Sequence, residues 1–223
     1  VLLVGDTYNG SRRWLSVGPL SFQPSEFAKP AVILFLSRII SRKEKMGNSI
    51  FSLIWCVCLV LPIVALVGTN NLSTAIIILG IAVILAFVSR PGYLQFIWIG
   101  LTGIGFIALF LSMEQYRLER LVIWKNPEVH EKGFQTIQGL YAIGSGGLFG
   151  TGFGKGIQKL GFVPEAQNDM ILSIICEENG LIGAILLLTL FLILLWRFMV
   201  IATHARDRLG AFLAAGIMAH IAI

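Results

Sequence analysis

Long runs of apolar residues, separated by short polar links, dominate the chain. They cover residues 24–40, 50–68, 73–89, 93–112, 181–199 and 209–223. Each run approaches the roughly 20 residues that a helix needs to cross the hydrocarbon core, and none shows the period-two alternation of a membrane β-barrel strand. The pattern predicts an all-α fold, a polytopic transmembrane helical bundle. We expect a single membrane domain over residues 1–223, cut from the middle of a longer protein, because the chain opens and closes inside apolar runs.

Composition supports this class. The chain is 56% hydrophobic and 13% charged, whereas soluble domains are about 45–50% apolar and about 25% charged. Cys56 and Cys58 lie inside an apolar run, where we expect them to act as small hydrophobic residues. The three histidines are scattered without metal-ligand spacing, so we predict no protein metal site.

The charges are divided unevenly between the polar segments. The links at 41–49, 90–92 and 203–208, with the adjoining span ends, hold eight basic and two acidic residues, and the other segments hold nine basic and ten acidic residues. Short cytoplasmic loops carry the excess of Lys and Arg. Segment 6–23 and the long segment 113–179 are therefore expected to face outside. The net charge of +5 reflects topology and gives no support for nucleic-acid binding.

Segment 113–179 is by far the longest polar interruption and is predicted to be a large outside loop. Loops beyond about 15 residues are usually functional or disordered, and the aromatic and glycine content favours function. Residues 136–143 are predicted to form a short interfacial helix. From Gly144 onward, closely spaced glycines oppose a regular helix. The glycine-rich run is either a flexible or re-entrant loop without a ligand or a backbone cradle for phosphate.

Candidate charged residues follow in the same segment. Arg117 and Arg120 lie one helical turn apart and suit a diphosphate, or they contact lipid headgroups. Asp169 stands at the start of an apolar, helix-like run, where it is either a general base or an N-cap. Glu177 and Glu178 follow, and eight helical residues separate Asp169 from Glu177 by about 80° around the axis. These acids are expected to share a broad polar face but not to form a tight pair.

The first outside segment carries a second group of candidates. Arg13 and Trp14 either anchor the chain at the headgroup layer or line a groove for an anionic lipid. Glu26 and Lys29, three residues apart at the mouth of the first complete span, are predicted to pair.

Several of these stretches, in this order, resemble the SEDS family (shape, elongation, division and sporulation: FtsW, RodA and SpoVE). The matching motifs are Gly10-Ser11-Arg12-Arg13-Trp14, Gly18-Pro19, Gln23-Pro24-Ser25-Glu26 with Lys29, Arg117-Leu118-Glu119-Arg120-Leu121, Gly144-Ser145-Gly146-Gly147-Leu148, Gln158-Lys159-Leu160, Pro164-Glu165-Ala166, Asp169, and Glu177-Glu178 with Gly180. The Gln-Lys-Leu string is closest to the FtsW/SpoVE branch. Two stretches depart from the family pattern: Asn70-Asn71-Leu72-Ser73-Thr74 replaces Pro-Asp-Leu-Gly-Thr, and Gln167-Asn168 replaces His-Thr before the acid.

The resemblance implies a ten-span fold, of which this chain is the end of span three to the start of span nine. It implies a peptidoglycan glycosyltransferase that polymerises lipid II at the outer face of the bacterial cytoplasmic membrane, during cell division or sporulation. Implied partners are a class B penicillin-binding protein and other division proteins. The resemblance specifies no cofactor and leaves a divalent cation open.

The resemblance also suggests roles for the candidate residues. Asp169 is the expected general base, and undecaprenyl diphosphate is the expected leaving group. Its charge would be held by Arg13, Arg117, Arg120 and Lys159. Trp14 would pack on sugar or isoprenoid, Glu26 and Lys29 would brace the groove mouth, and Glu165 is predicted among the substrate-binding residues.

Two other functions remain alternatives, a lipid II flippase and a non-enzymatic scaffold of the division machinery. A transporter places ionisable residues near the bilayer midplane. Here the charges are concentrated at the outer rim, which favours an enzyme acting on the outer face.

Overall fold

A computed structural model describes residues 6–8, 11–17, 20–42, 50–68, 71–89, 97, 122–123, 125–129 and 133–223. The chain divides into two compact units. One comprises Val1–Trp98 with Leu194–Ile223, and the other comprises Ile99–Ile193. Of the predicted spans, 93–112 lies outside the described residues except for Ile97.

The first unit begins with a small antiparallel sheet. Its strands are β1 (Asp6–Tyr8), β2 (Ser11–Val17) and β3 (Leu20–Phe22), with β2 in the centre. Trp14 pairs with Asp6 on one side, and Leu15 pairs with Phe22 on the other. This corrects the expectation of a purely helical fold with a polar loop at 6–23. The dipeptides Asn9-Gly10 and Gly18-Pro19 between the strands are typical turn sequences, and they were the overlooked signal.

Four helices follow the apolar runs of the first unit. They are α1 (Pro24–Arg42), α2 (Ile50–Gly68), α3 (Leu72–Ser89) and, at the end of the chain, α6 (Arg208–Ala222). Each begins and ends within two residues of a predicted span. Local chemistry fixes two of the starts: Asn71 Oδ1 accepts from Thr74 N–H (3.2 Å) and Asp207 Oδ2 accepts from Gly210 N–H (2.9 Å), as N-cap side chains do.

Apolar side chains from these helices form the core of the first unit. Leu36 of α1, Val60 of α2, Ile78 and Leu85 of α3 are fully buried, together with Ala215 of α6. Small residues on α6 allow a close approach to α1: a Cβ added at Gly216 would lie 2.6 Å from Ile33 Cγ2.

The second unit contains a 3₁₀ turn at Pro127–Val129, helix α4 (Phe134–Gly146) and the first part of α5 (Ile171–His204). The predicted loop 113–179 is therefore partly helical. Ala142, Val163 and Ile174 form its small buried core. Within the described residues α5 is the one helix long and apolar enough to cross a membrane, and shorter apolar helices occur at Cys58–Gly68, Ser73–Ser89 and Arg208–Ala222.

Candidate functional site

A break in α5 at Gly180 organises the second unit. Gly180 has φ 67° and ψ −168°, far from helical values. In a regular helix the N–H groups of Leu181 and Ile182 would donate to the carbonyls of Glu177 and Glu178. The break separates these four backbone groups from one another, and each then needs a new partner.

Residues 147–161, here called the glycine loop, supply those partners. Four backbone hydrogen bonds join the loop to the broken turn. They run from Leu181 N–H to Gly147 C=O (2.9 Å), from Ile182 N–H to Leu148 C=O (3.2 Å), from Thr151 N–H to Glu177 C=O (2.9 Å) and from Gly152 N–H to Glu178 C=O (3.0 Å). The loop thus replaces the missing helical hydrogen bonds in the interior of α5.

Glycine is required where the loop and the helix meet. Gly150 has φ 79°, and a Cβ there would collide with the carbonyl oxygen of Glu178. Gly180 also has positive φ, and its Cβ would collide with Gly150 N and lie 2.5 Å from the carbonyl oxygen of Leu148. The two backbones approach so closely that neither position accommodates a side chain.

The loop also surrounds the carboxylate of Glu177. This residue is 3% exposed. Its Oε1 accepts from the N–H groups of Ile157 (2.8 Å) and Gln158 (3.2 Å), while its buried Oε2 has no hydrogen-bond partner among the described residues. Within that part of the chain, every hydrogen bond to this carboxylate comes from the loop backbone, so it serves as an internal anchor for the loop.

Glu178 makes a different set of contacts. Its Oε2 accepts from Gly154 N–H (3.0 Å), and its Oε1 forms an ion pair with Lys159 Nζ (2.5 Å). Lys159 Nζ also donates to the carbonyl of Gly154 (3.0 Å). Glu178, Gly154 and Lys159 therefore form a closed ring of three contacts.

An open cavity of about 540 Å³ lies next to this ring. It is lined by Lys159, Leu160, Val163, Glu165, Ala166, Gln167, Ile171 and Ile174. One wall is apolar, and polar or charged groups come from Lys159, Glu165 and Gln167. Glu165 itself accepts a hydrogen bond from Asn168 Nδ2 (2.7 Å).

Asp169 lies in the turn between Gln167 and Ile171, which both line this cavity. It is exposed, and no residue in the described part of the chain donates a hydrogen bond to its carboxylate. The carbonyl of Met170 accepts the first α5 bond, from Ile174 N–H (3.3 Å). Met170 thus occupies the cap position, and the N-cap interpretation of Asp169 is wrong. The estimate of 80° around a helix is also wrong, since Asp169 precedes the helix.

The candidate residues of the first unit lie in β2 and near the start of α1. Lys29 Nζ lies 2.6 Å from Glu26 Oε2, so the predicted pair forms, with Lys29 buried and Glu26 exposed. Trp14 lies in β2 and is exposed, and Arg13 precedes it in the same strand. Arg117 and Arg120 lie outside the described residues.

Comparison with known proteins identifies the family. A family model described as "Cell cycle protein", for FtsW, RodA and SpoVE, matches residues 1–223. The chain belongs to this family, the SEDS family. It is 41% identical to stage V sporulation protein E of Bacillus subtilis (strain 168), covering 99% of this chain and 61% of that protein. It is 33% identical to a protein of Geobacter sp. (strain M18) named "Probable peptidoglycan glycosyltransferase FtsW", covering 96% and 59%.

Solved structures show the same fold. A chain of a peptidoglycan synthase complex matches with a TM-score of 0.77 at 24% identity, covering 99% of this chain and 62% of that chain. The rod shape determining protein RodA of Thermus thermophilus matches with a TM-score of 0.62 at 24% identity, covering 99% and 57%. The chain spans about three fifths of the length of the curated relatives named above.

Within this SEDS chain, Glu177 and Glu178 hold the glycine loop through their carboxylates, a role that the sequence did not predict. Their position, adjacent acids in an otherwise apolar run just before Gly180, was the available signal. The phosphate-cradle interpretation of the glycine run is wrong for three of its N–H groups, since Gly154, Ile157 and Gln158 donate to these carboxylates. Among the described residues, no group of three or more His, Cys, Asp or Glu could hold a metal ion.

Proposed function

We propose that the full-length protein is a peptidoglycan glycosyltransferase that polymerises lipid II at the outer face of the cytoplasmic membrane, in cell division or sporulation. Relatives named as FtsW glycosyltransferases and as a sporulation protein support this activity class. The observation that carries the proposal is Asp169, an exposed carboxylate that accepts no hydrogen bond from the described residues. It lies in the turn between Gln167 and Ile171, which line the same cavity as Lys159. Such a carboxylate is free to accept a proton from a bound substrate.

The proposed step is transfer of a lipid-linked glycan strand to a sugar hydroxyl of an incoming lipid II. The acceptor oxygen forms a bond to the anomeric carbon of the strand, and the bond from that carbon to the diphosphate breaks. The electron pair leaves with undecaprenyl diphosphate, and the hydroxyl proton passes to Asp169. A base placed at the reacting hydroxyl contributes about 10²- to 10⁴-fold in rate.

Cationic side chains would balance the charge of the leaving group. Lys159 lines the cavity, and two of the three N–H groups of its ammonium are used by Glu178 and Gly154. The third is available to a diphosphate oxygen. Arg13, Arg117 and Arg120 remain predicted contributors, with Trp14 packing on sugar or isoprenoid. A bracing role for the ion pair of Glu26 and Lys29 stays a prediction from the sequence. In the second unit, Glu165 contributes an acceptor in the cavity.

The proposal includes a class B penicillin-binding protein as partner. The similarity to a chain of a peptidoglycan synthase complex, which coordinates polymerization and crosslinking, supports this part of it. A divalent cation bound with the lipid diphosphate stays a prediction, and the proposed step does not depend on one. Among the described side chains that line the cavity, Lys159 supplies a cation, and the Glu165 carboxylate and the Gln167 amide supply oxygen acceptors.

One observation favours the rival transporter function. Broken helices with buried ionisable residues are typical of transporter sites, and α5 has both features at Gly180 and at Glu177 with Glu178. In transporters, however, the freed backbone groups face the substrate. Here the four backbone groups that the break frees are all hydrogen-bonded to the glycine loop. The break therefore stabilises the contact between the loop and α5 and leaves none of these groups for a substrate. The enzyme is therefore the better supported function.

The test uses the full-length protein, purified with its penicillin-binding partner and supplied with lipid II. We expect glycan polymer on a gel. The same preparation in liposomes with lipid II in the inner leaflet measures translocation. Translocation without polymer would replace the enzyme with the flippase, and the absence of both activities would favour a scaffold.

A further inference from the structure

The Lys159 ammonium is held at a fixed point of the cavity wall, which is unusual for a partly exposed lysine. Its side chain is 32% exposed, and the partner carboxylate of Glu178 is 10% exposed. The ion pair spans 2.5 Å, and a second hydrogen bond to the Gly154 carbonyl restrains the same ammonium. A free lysine side chain loses much rotamer freedom when a ligand immobilises it. In Lys159 the ion pair and the hydrogen bond have already restricted the rotamers, so a ligand would meet a side chain that is already ordered.

Glu178 is itself rigidly placed. It belongs to α5, its own carbonyl accepts from Gly152 N–H, and its Oε2 accepts from Gly154 N–H. The side chain therefore connects a helix, a loop and a lysine at one point. Any shift of this carboxylate would move Lys159 relative to the cavity.

Glu177 provides a natural comparison. It is similarly buried and binds the same loop, but its partners in the described part of the chain are backbone N–H groups, with no ion pair among them. A glutamine at this position keeps the Oε1 acceptor, and its amide nitrogen replaces Oε2, which has no partner among the residues that the structure describes. Position 177 thus reports loop anchoring without a direct contact to the Lys159 side chain.

We propose that Glu178 is a positioning residue for the reaction. It places the Lys159 ammonium at the cavity wall so that its remaining N–H meets an oxygen of the lipid diphosphate. This inference rests on the proposed function and adds to it the residue that fixes where the anion binds. Because the lipid diphosphate is already anionic before its bond to the sugar breaks, Lys159 contributes to substrate binding, and its misplacement raises KM.

The test measures KM and kcat for lipid II with the full-length protein and its partner. Glu178→Gln removes the ion pair and keeps an acceptor for Gly154. We expect KM to rise about 10- to 100-fold, the effect of losing one hydrogen bond to a charged group. The matched control Glu177→Gln should change KM by no more than about threefold. A residue with a merely structural role would lower the active fraction, and so kcat, at constant KM.

Two further variants separate positioning from folding. The exchange Lys159→Glu with Glu178→Lys restores an ion pair of opposite direction. The unfolding temperature of the exchange variant should lie closer to that of the parent protein than those of the two single variants do, while its KM stays raised. Lys159→Gln, at a half-exposed position, should raise KM by the same factor as Glu178→Gln even if the other variants fold poorly.

Three results would overturn the inference: a parental KM for Lys159→Gln, a parental KM for the exchange variant, or equal effects of Glu177→Gln and Glu178→Gln. Each requires that the parent protein polymerises lipid II. If the parent protein makes no polymer, the proposed function fails instead, and the two failures are thereby distinguished.

Discussion

The two units of this chain are stabilised in contrasting ways. In the first unit, α1, α2, α3 and α6 meet through fully buried aliphatic side chains such as Leu36 and Ile78. In the second, the glycine loop meets α5 through backbone hydrogen bonds and two buried carboxylates. Aliphatic packing is non-directional, whereas hydrogen bonds weaken steeply with poor geometry. Small shifts of the helices should therefore cost the first unit little stability, whereas similar shifts of the glycine loop should cost the second unit more.

This contrast bears on function. The cavity, Asp169 and Lys159 all belong to the second unit, where the described backbone is fixed by specific bonds. Sites that must hold charged groups to within about 0.5 Å need such support. The hydrogen-bonded unit is thus suited to chemistry, and the aliphatic unit is suited to forming a stable membrane scaffold.

The largest loss of stability is expected from Gly180→Ala. The backbone at Gly180 lies in a region that is essentially restricted to glycine, and the new Cβ would also collide with Gly150 N. Because the backbone strain and the backbone collisions add, we expect a loss above about 5 kcal/mol in the free energy of unfolding, measured by denaturant unfolding in detergent. The control Gly144→Ala lies in α4 with open space around its Cβ and should be neutral or stabilising. Similar stability of both variants would contradict the interlocked loop.

A smaller loss is expected from Leu36→Ala in the aliphatic core. Leu36 is fully buried, and such truncations cost about 2–5 kcal/mol depending on how far the cavity collapses. Its neighbour Leu34 is 59% exposed, so Leu34→Ala is the matched control with little expected loss. The same unfolding assay compares them. Equal losses would mean that α1 packs through a different face.

The smallest effect is expected at the ion pair of Glu26 and Lys29. Glu26 is 53% exposed, and pairs of this kind contribute about 0.2–1 kcal/mol. Lys29→Met keeps the apolar stem of the buried lysine and removes the charge, so we expect a loss of at most about 1 kcal/mol in the free energy of unfolding. A loss several times larger would show that charge contributes to the first unit as strongly as it does to the second.

Sequence reasoning succeeded where the structure depends on neighbouring residues. The bounds of α1, α2, α3 and α6 follow from apolar runs that end at polar or turn residues. The pairing of Glu26 with Lys29 follows from a separation of three residues on a helix. The hairpins of β1 to β3 had a local signal too, in Asn9-Gly10 and Gly18-Pro19, but the membrane context led to the prediction of a loop.

The parts that were missed depend on residues far apart in sequence. Glu178 and Lys159 are 19 residues apart, and Thr151 reaches the Glu177 carbonyl across 26 residues. A glycine in the sequence indicates that the backbone adopts an unusual conformation or a close contact, but it does not indicate which segment lies next to it. Spacing alone therefore could not show that the glycine loop completes α5 or that Glu178 fixes Lys159.

The role of Asp169 as the general base is tested by the rate at which the Asp169→Asn variant of the full-length protein, with its partner, polymerises lipid II. Asn keeps the size of the side chain but cannot accept the hydroxyl proton as a base. The matched control is Asp207→Asn, an exposed acid whose capping role asparagine preserves. We expect Asp169→Asn to form no polymer while unfolding like the parent protein, and Asp207→Asn to form as much polymer as the parent. Parental polymerisation by Asp169→Asn would contradict the assignment of Asp169 as the base.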